Sequence, residues 1–140
     1  MDNILSRTPV AGGSINQCWK LQTDKGWYFL KENDASRFPR MFEAESKGLQ
    51  LLRSTGTFVV PEVIGLSEEN CRSLLLLEFL EREGSQDWNL AGTLLARLHR
   101  NTAREFGLDH NNYIGSLSQS NTFHPTWSEF FAMERILPQI

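Results

Sequence analysis

A glycine pair at Gly12 and Gly13, a lysine at Lys31 and a glutamate at Glu45 are residue types that can handle phosphate. Backbone amides beside glycine approach phosphate oxygens closely because no Cβ stands in the way. A lysine supplies a compact positive charge, and a carboxylate within reach holds that charge in place. Such parts serve phosphoryl transfer from a nucleotide, which depends on positioning and charge stabilisation. By themselves they decide nothing. "AGGSINQ" lacks the third glycine of G-x-G-x-x-G, and no G-x-x-x-x-G-K-[ST] is present, so a Walker-type site is excluded. Lys31 reads equally as a solvated strand end, and Glu45 as a helix-surface carboxylate.

The elements that must position these residues are legible from their patterns. Residues 19–22 and 27–31 flank "TDKG", a turn signal between two strands, which makes residues 14–32 a glycine loop followed by a hairpin. Alternation along the second strand puts Lys31 on the face of Trp27 and Phe29. A helix is expected over residues 40–54, after Pro39 and before Gly56, with Met41, Ala44, Gly48, Leu49 and Leu52 as its apolar stripe. Glu45 falls inside that stripe and needs a partner; Glu43 points away. "FVVPEVIGL" and "CRSLLLLEFLE" read as strands separated by the turn "SEEN", the second rich enough in leucine to be covered on both faces. "WNLAGTLLARLHRNT" reads as a helix with Ala91, Leu94, Leu95 and Leu98 on one face. A final helix is expected near residues 126–137, capped by Thr126 or Ser128. The order is that of an α+β fold, an antiparallel sheet with one packed helix. Protein kinases carry the lysine on strand three and the glutamate on the next helix, which calls for a further short strand around residues 4–10.

Composition narrows the setting. A net charge of −3 argues against a nucleic-acid surface. Cys18 and Cys71 have no partners at metal spacing and form no disulfide framework, which points to a reducing compartment. The N-terminal residues lack the apolar core of a signal peptide, and the longest apolar run, residues 74–77, is far too short to span a bilayer. A cytoplasmic protein is expected. His99, His110 and His124 have no acid or cysteine at metal-ligand spacing and read as packing or surface residues. Trp127, Phe130, Phe131 and Ile136 read as core packing.

Eight blocks together are similar to the fructosamine kinase (ketosamine kinase) family: "GGSINQCWKL", "YFLKEN", "MFEAESKGLQLLRSTG", "VPEVIG", "LLLLEFL", "LAGTLLARLHR", "FGLDHNNYIGSLSQSN" and "WSEFFAMERILPQI". The resemblance implies the protein-kinase-like fold shared with aminoglycoside phosphotransferases: an ATP-binding lobe over residues 1–80, with its hinge at 78–80, and the start of a second lobe over 81–140. It implies ATP-dependent phosphorylation of the sugar 3-hydroxyl of fructosyl-lysine and related ketosamines, free or on glycated protein. The unstable product then releases the amine, deglycating the protein. By position, Gly12, Gly13 and Ser14 would form the loop over the phosphates, Lys31 would contact them, and Glu45 would pair with Lys31. Glu78, Phe79 and Leu80 would form the hinge whose backbone reads adenine.

Two departures from the family pattern bear on activity. Ser14 stands where some members carry a redox-active cysteine, so that switch is not expected. The His-Gly-Asp-Leu catalytic loop and the metal-binding aspartate of the family occur nowhere in the 140 residues. "LHRN", residues 98–101, has Asn where a catalytic base would stand and lies on a leucine-striped helix. No catalytic residue and no magnesium ligand is therefore expected among these residues, and residues 1–140 alone are expected to be inactive. An exposed apolar patch on residues 91–100 and the tail would promote self-association. Two alternatives stand beside this reading: a non-catalytic chain that binds nucleotide or protein, and an aminoglycoside-type phosphotransferase.

Overall fold

The structure, a computed structural model, describes every residue except 1, 2, 12, 14, 82, 83, 85 and 86. The elements run β1 (Ile4–Pro9), β2 (Gln17–Thr23), β3 (Gly26–Asp34), α1 (Met41–Ser54), β4 (Val63–Glu69), β5 (Arg72–Glu78), α2 (Trp88–Leu98), β6 (Asn112–Ile114), β7 (Leu117–Gln119) and α3 (Trp127–Phe131). A π-helical turn, Ala132–Ile136, and a 3-10 turn, Leu137–Gln139, follow α3 directly. Strands β1 to β5 form one antiparallel sheet in the order β1-β2-β3-β5-β4, and β6 and β7 form a separate hairpin. This is the expected α+β arrangement, with the additional first strand in place.

The turns are set by local chemistry. Thr23 pairs with Gly26, so the β2–β3 connection is only Asp24 and Lys25. The Thr23 hydroxyl accepts from the Lys25 amide and donates to the Gly26 carbonyl, each at 3.1 Å. The β4–β5 turn departs from expectation. Ser67, Glu68 and Glu69 belong to β4, paired with Leu74, Ser73 and Arg72, and the chain reverses at Asn70 and Cys71. Both have positive φ, 51° and 63°, as the mirror-image turns that suit hairpins require. The polar residues of "SEEN" stay in the strand because β5 supplies backbone partners for them.

Helix α1 packs on the face of the sheet that carries Phe29, Lys31, Leu75 and Leu77. The core is Phe38, Met41, Phe42, Leu75 and Leu77, with Ile15, Phe29, Leu49, Val63 and Tyr113 against it. Phe42, absent from the expected stripe, is fully buried, whereas Leu52 is 42% exposed. Ser73, Leu75 and Leu77 are buried, but Leu74 and Leu76 on the opposite face are only half-buried, so β5 is not covered equally on both faces. Long side chains cover that second face. Arg7 lies 3.7 Å above the Trp19 ring and donates to Glu32 at 2.9 Å, and Arg72 donates to Glu32 from the other side. Burial alone would raise the Glu32 carboxyl, but the hydrogen bonds from Arg72 and then Arg7 outweigh it and hold the group below its usual range.

The β6–β7 hairpin docks on the N-terminal end of α1. Tyr113 donates to the Pro39 carbonyl at 3.0 Å, and its ring meets Phe38 edge-on at 6.3 Å. Beneath it Asn121, 1% exposed, is bonded on all sides. Its amide donates to Asn111 Oδ1 at 3.2 Å, its Nδ2 to the His110 carbonyl at 3.0 Å, its Oδ1 accepts from Arg135, and its carbonyl accepts from Leu108. Gly107, at φ 152°, has the Asn121 carbonyl only 2.7 Å from where a Cβ would stand, so no other residue fits there. Replacing Asn121 by alanine should cost about 2–3 kcal/mol, because Arg135 and the His110 carbonyl lose a buried partner. Urea unfolding checks this; a loss below about 0.5 kcal/mol would mean that water replaces the amide at no cost.

Helix α2, capped by Asp87 accepting from the Leu90 amide, has no buried residue, in keeping with the apolar patch expected over residues 91–100. Other expectations for the tail are corrected. Of the four residues expected to pack in the core only Phe130 is buried; Trp127, Phe131 and Ile136 are 55%, 43% and 46% exposed. Trp127 stacks on Phe131 at 5.5 Å, an aromatic cluster at the surface. His110 and His124 are half-buried and each meets an acid: Asp109 Oδ1 at 2.6 Å and Glu134 Oε1 at 2.9 Å. The fold brings His124 and Glu134 together across the start of α3, which their separation in sequence conceals. His99 is exposed at the end of α2, and Asn101 donates to the Arg97 and Leu98 carbonyls. "LHRN" is thus a helix terminus.

Candidate functional site

Lys31 sits mid-sheet, opposite Cys18 on β2 and Leu75 on β5. Strand alternation aims its side chain at α1, whose 3.6-residue period presents Glu45 one turn after Met41 and Phe42. Nζ of Lys31 lies 2.6 Å from both carboxylate oxygens of Glu45. The two side chains are 18% and 29% exposed, so neither is a freely solvated surface group. The ammonium also lies 5.6 Å from the Phe42 ring centroid. A charge-assisted contact to both oxygens orients the lysine far better than a single flexible pairing would. Glu43 faces outward, as expected, with Arg40 donating to both its oxygens at 2.8 Å. Those bonds, with one from Lys47, hold its carboxyl down at about 2.

Burial pushes the Cys18 thiol up, the Lys31 ammonium pulls it down, and Glu45 raises it again, with burial the largest effect. The net upward shift keeps it a thiol rather than a reactive thiolate.

Of the glycine loop, Gly12 and Ser14 lie outside the described residues. At Gly13 a Cβ would meet the Asn16 carbonyl at 3.5 Å, an ordinary contact, and φ is not positive, so nothing within the protein demands glycine there. Of the hinge, Glu78 turns its side chain away from Lys31: its Oε2 accepts from the Glu62 amide at 3.1 Å and lies 3.7 Å from Arg53. Phe79 is half-buried and Leu80 is 41% exposed. Glu78 is three residues along β5 from Leu75, about 10 Å along the strand from the level of Lys31.

Sequence reasoning missed Lys20. It lies on β2 opposite Phe29, on the same face as Lys31, with Nζ 4.2 Å from the Trp27 ring centroid and 4.1 Å from that of Phe79. The alternation Cys18, Lys20, Gln22 gives its face, but Phe79 is too far along the chain for any local pattern to pair them.

Two cavities lie away from Lys31 and Glu45. One, about 690 Å³, is bounded by Arg40, Glu43 and Lys47 of the α1 end and by Asp109, His110 and Tyr113. The other, about 410 Å³, lies by Asn33, Arg37, Cys71 and Arg72. In the larger one the charges are spent on one another: Lys47 reaches Glu43 at 3.1 Å, as Arg40 does, and His110 reaches Asp109.

A model of the fructosamine kinase family matches residues 2–140. The chain belongs to the fructosamine kinase family. A "Probable ketoamine kinase" of Vibrio parahaemolyticus is 35% identical over 137 residues, covering 95% of this chain and 47% of the relative. A "Protein-ribulosamine 3-kinase, chloroplastic" of Arabidopsis thaliana is 38% identical over 132 residues, 91% of this chain and 40% of the relative. A solved structure from Haemophilus somnus, a "Putative fructosamine-3-kinase", superposes with a TM-score of 0.87 at 29% identity, covering 96% of this chain and 46% of that one. One of the same description from Thermobifida fusca gives 0.84 at 27% identity. The chain spans about half the length of the relatives it matches. Its fold is accordingly the N-terminal portion of the protein-kinase-like fold. Among the described residues, no helix is long and apolar enough to cross a membrane.

Proposed function

We propose that this chain is the nucleotide-binding part of an ATP-dependent kinase that phosphorylates the 3-hydroxyl of ketosamines such as fructosyl-lysine. The observation that carries this is the Lys31–Glu45 pair, held at 2.6 Å between sheet and helix in a chain of the fructosamine kinase family. Lys31 places its ammonium against the ATP phosphates, and Glu45 holds it there. The backbone at Gly12, Gly13 and Ser14 covers the phosphates, and the lack of any internal demand for glycine at Gly13 supports a ligand's approach as its use. The hinge, Glu78 to Leu80, receives adenine through its backbone, since the Glu78 side chain is engaged elsewhere. Residues 1–80 form the nucleotide lobe, and residues 81–140 begin the second lobe.

Among the described residues no group of three or more His, Cys, Asp or Glu could hold a metal. The described residues do not fit magnesium. Without the aspartate that takes the hydroxyl proton, residues 1–140 bind nucleotide but do not turn over. The exposed Leu95 of α2, with Trp127, Phe131 and Met133 of the tail, forms the surface through which they self-associate. A reducing cytoplasm suits the exposed thiol of Cys71.

The test is turnover of ATP by the intact protein from its source, with fructosyl-lysine and an aminoglycoside in parallel. Phosphorylation of fructosyl-lysine alone is expected. Phosphorylation of the aminoglycoside instead would assign the site to the antibiotic phosphotransferases. ATP binding with neither product would leave a binding protein.

A further inference from the structure

The cation between the two rings has no part in the reading above. Lys20 stands on the face of β2 that carries Lys31 in the neighbouring strand, two residues beyond Cys18, which is opposite Lys31. Its ammonium is sandwiched by Trp27 of β3 and Phe79 of the segment after β5, and lies 3.5 Å from Glu81 Oε1. Its side chain is 28% exposed, against 63% for Glu81 and 41% for Trp27, so half-buried Phe79 is the better shielded of its partners. A cation over a ring face is attracted by the ring's quadrupole, and shielding from water strengthens the attraction. An ion pair with so exposed a glutamate adds little. Phe79 continues the alternation of Leu75 and Leu77, which puts its ring on the same face of the sheet.

Glu78 anchors the segment on the β4 side, through the Glu62 amide and Arg53. Lys20 holds the next residue from the β2 side. The two anchors grip the segment from opposite edges, and the backbone between them is the part that would meet a base. We propose that Lys20 is a positioning residue for base recognition: it clamps Phe79 against the β2–β3 hairpin and so fixes where the hinge backbone presents its donors and acceptors. This rests on the nucleotide reading of the site. Base selectivity, not only affinity, then depends on a residue that need not touch the base, because a misplaced hinge loses the hydrogen-bond pattern that separates adenine from guanine.

The experiment is calorimetric titration of ATP and of GTP into the intact protein, for wild type, Lys20→Met, Lys20→Arg and Phe79→Leu. Methionine keeps the stem and removes the charge. Lys20→Met should weaken ATP about tenfold and GTP much less, narrowing the ratio, with Phe79→Leu behaving likewise. Lys20→Arg, which preserves a cation between the rings, should restore the wild-type ratio. A merely structural role would weaken both nucleotides equally and lower the melting temperature without changing the ratio. Equal losses, or an unchanged ratio in Lys20→Met, overturn the proposal. If Lys20→Met does not fold, an unchanged ratio in Phe79→Leu overturns it. Wild type that binds neither nucleotide would sink the nucleotide reading itself, and the proposal with it.

Discussion

Lys31→Met in the intact protein should cut turnover by about 10²–10³-fold and weaken MgATP binding, with little loss of fold stability. Methionine keeps the apolar stem that packs beneath α1 but removes the cation held 2.6 Å from Glu45. Two effects add. On the nucleotide reading, the phosphates lose a charge held in a half-buried pair, where charge counts for more than in water. Glu45 is left as an uncompensated carboxylate facing the same phosphates, so attraction is replaced by repulsion. Stability should fall by no more than about 1 kcal/mol, since Glu45 at 29% exposure can recover water. Calorimetry with MgATP, a turnover assay and a thermal melt separate these terms. Unchanged affinity and turnover would remove Lys31 from the site. A large drop in melting temperature would make the pair a structural one.

Phe42→Ala should produce the largest stability loss of any single truncation in the sheet–helix core, about 3–5 kcal/mol, or about 10–20 °C in melting temperature. Phe42 is 0% exposed and packs in the cluster with Phe38, Met41, Leu75 and Leu77. Its removal leaves a cavity where backbone on both sides, β5 and α1, is already tied by hydrogen bonds and cannot collapse into the space. The same residue lies beside the Lys31 ammonium, so the loss should also loosen nucleotide binding. Leu52→Ala on the same helix is the control. At 42% exposure it should cost less than about 1 kcal/mol. Equal losses at the two positions would mean that α1 does not pack as described.

Much of this protein is local and therefore legible in its residues. The β2–β3 hairpin follows from Thr23, Asp24 and Gly26, the start of α2 from Asp87, and that of α3 from Thr126, because turns and caps are made by residues a few positions apart. The facing of Lys31 and Glu45 is legible for the same reason. Periods of 2 and 3.6 assign each side chain a direction before any packing is known. That the two would meet was an expectation from the kinase order of elements and the family blocks. Their separation of 2.6 Å is a property of the packed sheet and helix.

What tertiary structure alone decided involves partners far apart in sequence. The stripe that predicted Leu52 instead of Phe42 is ambiguous by one helical position, and only the place where α1 crosses β5 resolves it: Phe42 falls over Leu75, while Leu52 runs past the buried part of the sheet. "SEEN" reads as a turn by composition, but cross-strand pairing with β5 draws three of its residues into β4 and moves the reversal to Asn70 and Cys71. The leucines of α2 form a stripe whether or not anything covers them, since periodicity records which face is apolar and not what lies against it. Lys20 between Trp27 and Phe79, His124 on Glu134, and Asn121 within its ring of donors and acceptors are each completed by a separate element. Such contacts are bought with chain entropy only when the whole sheet and hairpin assemble, so no local pattern of residues records them.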